Sequence, residues 1–219
     1  MPVSTATVPA KSKKSNGVAS NQIRIRPIKR RVVKTRIVGV RPLIQHAWSK
    51  KAKAMMRDKH QGKKTKVRDA RDPQEEGREA AYRTGDGRYG IPLNAIKGSL
   101  ITAAHKDLGI EKTLVKKSLF IRCSDPNGVL PMECSEPVIQ EDAVRVGQGS
   151  TDLRYRPYFH RWSVDIEWEI DAELLTTNDL CVLIDRAGFG VGIGEWRPET
   201  GGEYGRFELD TSSPIEEKE

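Results

Sequence analysis

Residues 162–170 alternate without a break: Trp162, Val164, Ile166, Trp168 and Ile170 are apolar, and Ser163, Asp165, Glu167 and Glu169 separate them. A period of two over this length predicts a β-strand with one buried and one solvated face. A first strand is predicted at Val32–Arg41 and ends at Pro42, which cannot continue a ladder. Ile96, Leu100, Ala103 and Leu108 share one face at helical spacing, which predicts a helix from an Asn94 cap to Leu108, stopped by Gly109. A strand follows near Leu119–Cys123. Thr177 caps a further helix with a stripe of Leu180, Leu183, Ile184 and Ala187, ended by Gly188, and Tyr204–Leu209 is the last strand.

The order strand, helix, strand, strand, helix, strand predicts an α+β chain with a ferredoxin-like (RRM-like) β-α-β-β-α-β palm. It forms one domain over 32–210, interrupted by insertions at 46–90 and 124–160. Connections of that length inside a compact domain are usually functional. In the first insertion, Ser49 caps a helix running to His60, a glycine-containing basic loop spans 62–71, and Asp72-Pro73 opens a second helix. Gly85-Asp86-Gly87 then turns the chain into Tyr89–Ile91. The second insertion is rich in Pro and Gly, with short strand-like pieces such as Ala143–Val146. Residues 1–22 have too few large apolar groups to repay ordering and read as disordered. Ile23–Arg31 reads as an edge strand or the end of a basic arm over 1–31 that orders on a partner. Residues 211–219 read as a frayed acidic tail.

Charge sharpens this picture more than composition does. The chain of 219 residues has a net charge of +8, but the sign is segregated. Residues 1–71 carry 21 Lys and Arg against Asp58 and Asp69, whereas the remainder carries 17 cations against 28 acids. Such asymmetry points to a polyanion partner for the first third, RNA or single-stranded DNA. No apolar helix face accompanies the charge, so a membrane is not the expected partner. The candidate contacts are Lys50, Lys51, Lys53 and Arg57 on the basic helix, and Lys63, Lys64 and Lys66 in the loop after it. Arg154 and Arg156 join them from a stretch, Arg154 to Trp162, that interleaves cations with aromatics, a mixture suited to holding phosphates and stacking bases. Lys97 and Ser99 are candidates at the start of the helix capped by Asn94, where a cation would oppose the dipole unless an anion sat beside it. Arg197 is a candidate from the glycine-rich stretch 188–206.

That stretch matches neither a dinucleotide fingerprint nor a P-loop, and it follows a helix, so no nucleotide cofactor is expected. Its glycines allow either close approach to a phosphate or flat packing of the loop on the sheet. The histidines have no metal-ligand spacing, and no metal is expected. Asp165, Glu167 and Glu169 follow from the alternation as a solvated strand face. With the first and third strands adjacent, Lys34 and Arg36 are expected opposite Glu167 and Glu169, and the open sheet face is not the expected binding platform. Cys123, Cys134 and Cys181 form no CxxC pair and read as reduced thiols. The longest apolar run, Leu180 to Ile184, is too short to cross a bilayer, and no hydrophobic signal core opens the chain, so a cytoplasmic protein is expected.

Three motifs in order resemble a known family. Val33-Lys34-Thr35-Arg36-Ile37-Val38-Gly39-Val40-Arg41-Pro42-Leu43-Ile44 resembles the opening strand of the RAMP superfamily, the RNA-binding subunits of CRISPR effector complexes. Ile91-Pro92-Leu93-Asn94-Ala95-Ile96-Lys97-Gly98-Ser99-Leu100 is similar to that family's proline-led first helix. Gly192-Ile193-Gly194 with Gly205-Arg206-Phe207 resembles its C-terminal glycine-rich loop. The likeness is nearest to the Cas-seven-type backbone subunit. It implies a palm with finger and thumb insertions, RNA held along its backbone by copies packed side by side, and other effector-complex subunits as neighbours. One branch cleaves RNA with an aspartate in an inserted loop, for which Asp125, Asp142 and Asp152 are all open, so no catalytic residue is carried over. The alternatives are a RAMP-type endoribonuclease using His46, a phage-encoded or stand-alone single-strand binder, and a structural protein whose basic arm docks on a larger assembly.

Overall fold

The computed structural model describes residues 27–63, 71–147 and 149–218. In chain order the elements are β1 (Arg30–Gly39), β2 (Leu43–Ile44), α1 (Lys50–His60), α2 (Pro73–Glu79), β3 (Gly90–Pro92), α3 (Leu93–Leu108), α4 (Lys112–Ser118), β4 (Leu119–Arg122), β5 (Val129–Pro131), β6 (Glu133–Cys134), β7 (Val138–Val146), β8 (Ser150–Phe159), β9 (Trp162–Asp171), α5 (Thr177–Arg186), β10 (Phe207–Leu209) and β11 (Glu216–Lys218). The chain is α+β, and its sheets are antiparallel.

The alternating strand is the inner strand β9. It pairs with β1 from Arg30↔Asp171 to Val38↔Ser163, and the main sheet runs β10-β1-β9-β4, with β11 also on β1 and β6 also on β9. Trp162, Val164, Ile166, Trp168 and Ile170 all point to one face and are buried, as the period of two requires. Val33 and Ile37 of β1 join them, and Ile96, Leu100, Ala103 and Ala104 of α3 and Leu180, Leu183 and Ile184 of α5 belong to the same core. Between the two strands the Trp168 indole donates to the buried Thr35 hydroxyl at 2.8 Å, so the largest core side chain has its polar atom satisfied.

Several boundaries differ from expectation, each for a local reason. Helix α3 begins at Leu93 with Pro92, not Asn94, at the cap. Strand β3 runs straight into it, Pro92 presets φ at −61°, and Leu93 N–H is satisfied by Gly128 O at 3.0 Å. Leu108 is exposed, and Ala104 takes its place in the core, because left-handed Gly109 reverses the chain so that Ile110 N–H returns to Ala104 O. Thr176, one residue before the expected Thr177, caps α5 in a reciprocal box with Asp179. That helix passes Gly188 through a π-turn at Ala187–Val191. The strand expected over Tyr204–Leu209 is only Phe207–Leu209.

The acidic tail is a strand, not a frayed end: Glu216–Lys218 pairs with β1 at Val32–Lys34. Strand β10 covers only Ile37–Gly39 on that side, leaving the first half of β1 open. Charge completes the match, with Arg31 Nε 2.8 Å from Glu217 and Lys34 Nζ 3.5 Å from Glu216. Arg30 and Arg31, assigned above to the arm, are the first residues of β1. The proposed disorder of residues 1–22 lies outside the described residues.

Where only short pieces are predicted, β7 and β8 form a long hairpin that β2 extends through Leu43↔Phe159 and Ile44↔Tyr158. Its outer half is solvated on both faces and its inner half contains Pro157, so no alternation marks it in sequence. Helix α4 escapes prediction because only Val115 and Ser118 are buried in seven residues.

Thr35→Val is nearly isosteric but leaves the Trp168 N–H buried without an acceptor. Urea unfolding is expected to show a loss of about 1–3 kcal/mol, and no loss would remove this bond from the account of the core.

Candidate nucleic-acid interface

The first insertion is stitched to the core by Gln45, a buried amide. Its N–H donates to Pro157 O at 3.3 Å, its Nε2 to Gly90 O at 2.9 Å, and its Oε1 accepts Tyr82 N–H at 2.8 Å. One residue thus joins β8, through its backbone, to the far end of the segment that carries α1, through its side chain. His46 follows. Its Nδ1 is buried without a hydrogen-bond partner among the described residues. Burial is the main cause that lowers its pKa. Arg154 and Arg156 add to the depression, and Glu195 and Glu76 partly offset it.

Four residues on, α1 leaves the body of the protein. Ser49 caps it by accepting from Ala52 N–H at 3.0 Å. Residues 51–60 are all exposed, including Met55 and Met56. Lys50 and Lys51 stand in a first turn without any acid, and Arg57, Lys59 and His60 in the last. Asp58 is occupied by Lys63 at 3.1 Å, so Lys53, Arg57 and Lys59 carry no ion pair among the described residues. Lys64 and Lys66 lie outside the described residues.

Arg154 and Arg156 share a face of β8 but have different surroundings. Arg154 is half-buried and has no ion pair among the described residues. Arg156 is fully buried, as a bridge and not an open phosphate contact: Nε donates to Asp142 at 2.7 Å, Nη1 to Glu195 at 3.4 Å, and the guanidinium lies 4.3 Å from the centre of the Trp196 ring. Tyr158 also donates to Asp142 at 3.0 Å, and burial together with that carboxylate pushes the phenol well up, so it remains a donor.

The other sequence candidates serve the scaffold here. Lys97 lies beyond the first turn of α3, donates to Lys116 O at 3.0 Å and sits 4.1 Å over Phe120, with burial lowering its pKa. Ser99 is buried, and its hydroxyl faces Ala187 O at 3.4 Å. Arg197 braces its own loop through Glu199 at 2.9 Å and Gly194 O at 3.2 Å. Of the three aspartates, Asp125 accepts from the backbone of Gly85, Asn127 and Val129, Asp142 holds Arg156, and Asp152 meets Arg71 at 3.3 Å.

The glycines of the last loop serve backbone-to-backbone packing. Gly205 has φ +63°, and a Cβ there would overlap Ile193 O; one on Gly202 would overlap Trp196 O. The same loop grips the end of β1, with Val40 N–H on Arg206 O at 2.9 Å and Gly205 N–H on Pro42 O at 2.8 Å. This packing presents Trp196 and Tyr204, which sequence reasoning did not single out. Their signal was two aromatics flanking Gly201-Gly202.

The open face of the main sheet forms a groove of about 1500 Å³ with both signs of charge. Arg36 pairs there with Asp165 and Glu133, and Arg122 with Glu167 and Glu169. Lys34 stands opposite Glu167 in register, and Arg36 opposite Asp165. Unlike α1, this face offers no excess of cations. Among the described residues no three His, Cys, Asp or Glu gather as a metal site, and no helix is long and apolar enough to cross a membrane. No family model matches the chain, and no curated protein matches it.

Two outcomes follow from this geometry. Arg156→Ala leaves Asp142 buried without its cation, and a stability loss of about 3–5 kcal/mol is expected, measured by thermal or urea unfolding. His46 holds a proton less tightly folded than unfolded, so below the ordinary value of 6.5 the unfolded chain binds more protons. Stability should therefore fall between pH 7 and pH 5.5, and His46→Gln should flatten that slope; an unchanged slope would place the titration elsewhere.

Proposed function

We propose that this chain binds single-stranded nucleic acid, RNA or DNA, along its phosphate backbone, on a basic surface running from α1 toward Arg154. The observation that carries this reading is α1 itself. A short, strongly basic helix whose residues 51–60 are all exposed has little burial to stabilise it in water. Its first-turn lysines oppose the helix dipole. A row of phosphates would relieve both problems. The absence of any comparable excess on the open sheet face favours α1 further.

The scaffold reading is a ferredoxin-like palm of RAMP type. It draws support from the order β10-β1-β9-β4 with every neighbour antiparallel, and from α3 and α5 standing before β4 and before β10. In that reading residues 46–90 form a finger, and copies pack side by side along the strand as in a CRISPR backbone subunit, or in a stand-alone relative. A second reading, RNA cleavage, has one observation in its favour: the Nδ1 of His46 is buried without a hydrogen-bond partner among the described residues, and that burial lowers its pKa.

Anisotropy with labelled single strands tests the binding reading. Affinity is expected to fall steeply with salt and to rise cooperatively on long strands. Lys53→Gln with Arg57→Gln should lower the log–log salt slope by roughly 1.4, at about 0.7 per phosphate on single strands. A flat titration, or an unchanged slope in the double variant, would count against α1. Strand left intact with magnesium supports binding alone; cleavage lost in His46→Gln would favour the second reading.

A further inference from the structure

We propose that the cleft beside the glycine-rich loop is a pocket for one guanine base. The cleft has a volume of about 730 Å³, within the ~300–1,000 Å³ of small-ligand sites. It lies where the end of β1 meets the loop, and Arg41, Trp196, Gly201, Glu203 and Tyr204 line it. The proposal draws on the nucleic-acid reading for one of its two possible sources of guanine, a strand or a free nucleotide.

Trp196 is the platform. It is 39% exposed, and it has φ +50°, the one positive φ outside glycine among the described residues. The surrounding contacts hold it there. Its carbonyl accepts Tyr204 N–H at 3.1 Å, and the buried Arg156 guanidinium supports one face of its ring. A ring fixed in advance loses little freedom when a base stacks on it. Tyr204 stands 6.0 Å away, tilted by 44°, and its own edge rests on Tyr158. The two rings wall one side of the cleft and leave part of Trp196 open to it, against which a flat ligand can lie. Beside them Gly201 has nothing within 4 Å of where a Cβ would lie, so a ligand can approach the backbone.

The charges choose the ligand. Arg41 is exposed and has no ion pair among the described residues, so it is available to a phosphate. With Arg156 under the ring, it also disfavours a cationic guest such as a methylated amine. The Glu203 carboxylate is 76% exposed, and its nearest cation, Arg206, is 3.9 Å away. A carboxylate only accepts, and it accepts best from two adjacent donors. Guanine presents N1–H and N2–H side by side on its Watson–Crick edge. Adenine and cytosine set a ring acceptor beside their amino donor, and uracil flanks its single N–H with two carbonyls. Each of those would turn a lone pair toward the carboxylate.

The test is titration of the full chain with GMP, AMP, CMP and UMP, and with labelled U12 carrying or lacking one central G. GMP should bind at least about tenfold tighter than the other three, the discrimination of one bidentate contact. Glu203→Gln, an exposed and conservative change, should abolish that preference. Trp196→Ala should weaken every nucleotide, with its thermal unfolding measured alongside. GMP binding no tighter than UMP, or a preference that survives Glu203→Gln, overturns the pocket. Salt-sensitive binding of every strand with no guanine effect overturns the pocket while the backbone reading stands. Guanine-selective binding of GMP without any strand binding supports the pocket as a free-nucleotide site and ends the strand reading. Tightening by the single G, lost in Glu203→Gln, identifies the strand as the source.

Discussion

The pairing of β1 with β9 sets the geometry on which the other elements rely. Nine residue pairs join the two strands, and both alternate in phase, so a single hydrophobic face receives α3 and α5. A slip of one residue would turn Trp162, Trp168 and their neighbours to solvent, which fixes the register. The buried bond between Trp168 and Thr35 adds a polar check to the same register. The exit of β1 at Val40–Pro42 is in turn the rail on which the glycine-rich loop is built. The loop that carries Trp196 and Tyr204 therefore inherits its position from the central pair of strands.

Electrostatics divides the surface into regions with different roles. On the open sheet face and along the β11 edge, acids and bases neutralise one another in pairs that are mostly exposed, each contributing little to stability. On α1, Lys53, Arg57 and Lys59 have no such partner among the described residues. The contrast begins in the sequence, where α1 holds Asp58 as its one acid, and the fold adds to it: strands β9 and β11 bring their acids to β1. A basic helix left bare beside a neutralised sheet is what gives the binding proposal its direction.

Arg156 shows how burial changes the meaning of a residue. Its charge is held by Asp142 and Glu195, and its Nη2 has no partner among the described residues. Such a bridge is weak evidence for stability in itself, because desolvation offsets the attraction. It does fix relative positions. It ties the β7–β8 hairpin to the Glu195–Trp196 turn, and it sets the ring of Trp196. An arginine that looks like a phosphate contact in sequence thus becomes the support of an aromatic platform.

Local order was legible from the chain alone. The buried face of β9, the helix with Ile96 and Leu100, the caps at Ser49 and Asp72, and the segregation of charge all follow from period, composition and single-residue chemistry, which act within a few residues. Tertiary structure decided the rest. It separated Arg154 from Arg156, two residues apart on one face, because only Arg156 meets Glu195, 39 residues away. It moved Lys97 and Ser99 from a supposed anion site into the scaffold, once β3 ran directly into α3. It turned an acidic tail into a strand, because β10 left half an edge unpaired. The physical reason is common to all of these: periodicity reports which side of an element is buried, whereas the partner of a long polar side chain or an open strand edge is set by segments distant in sequence.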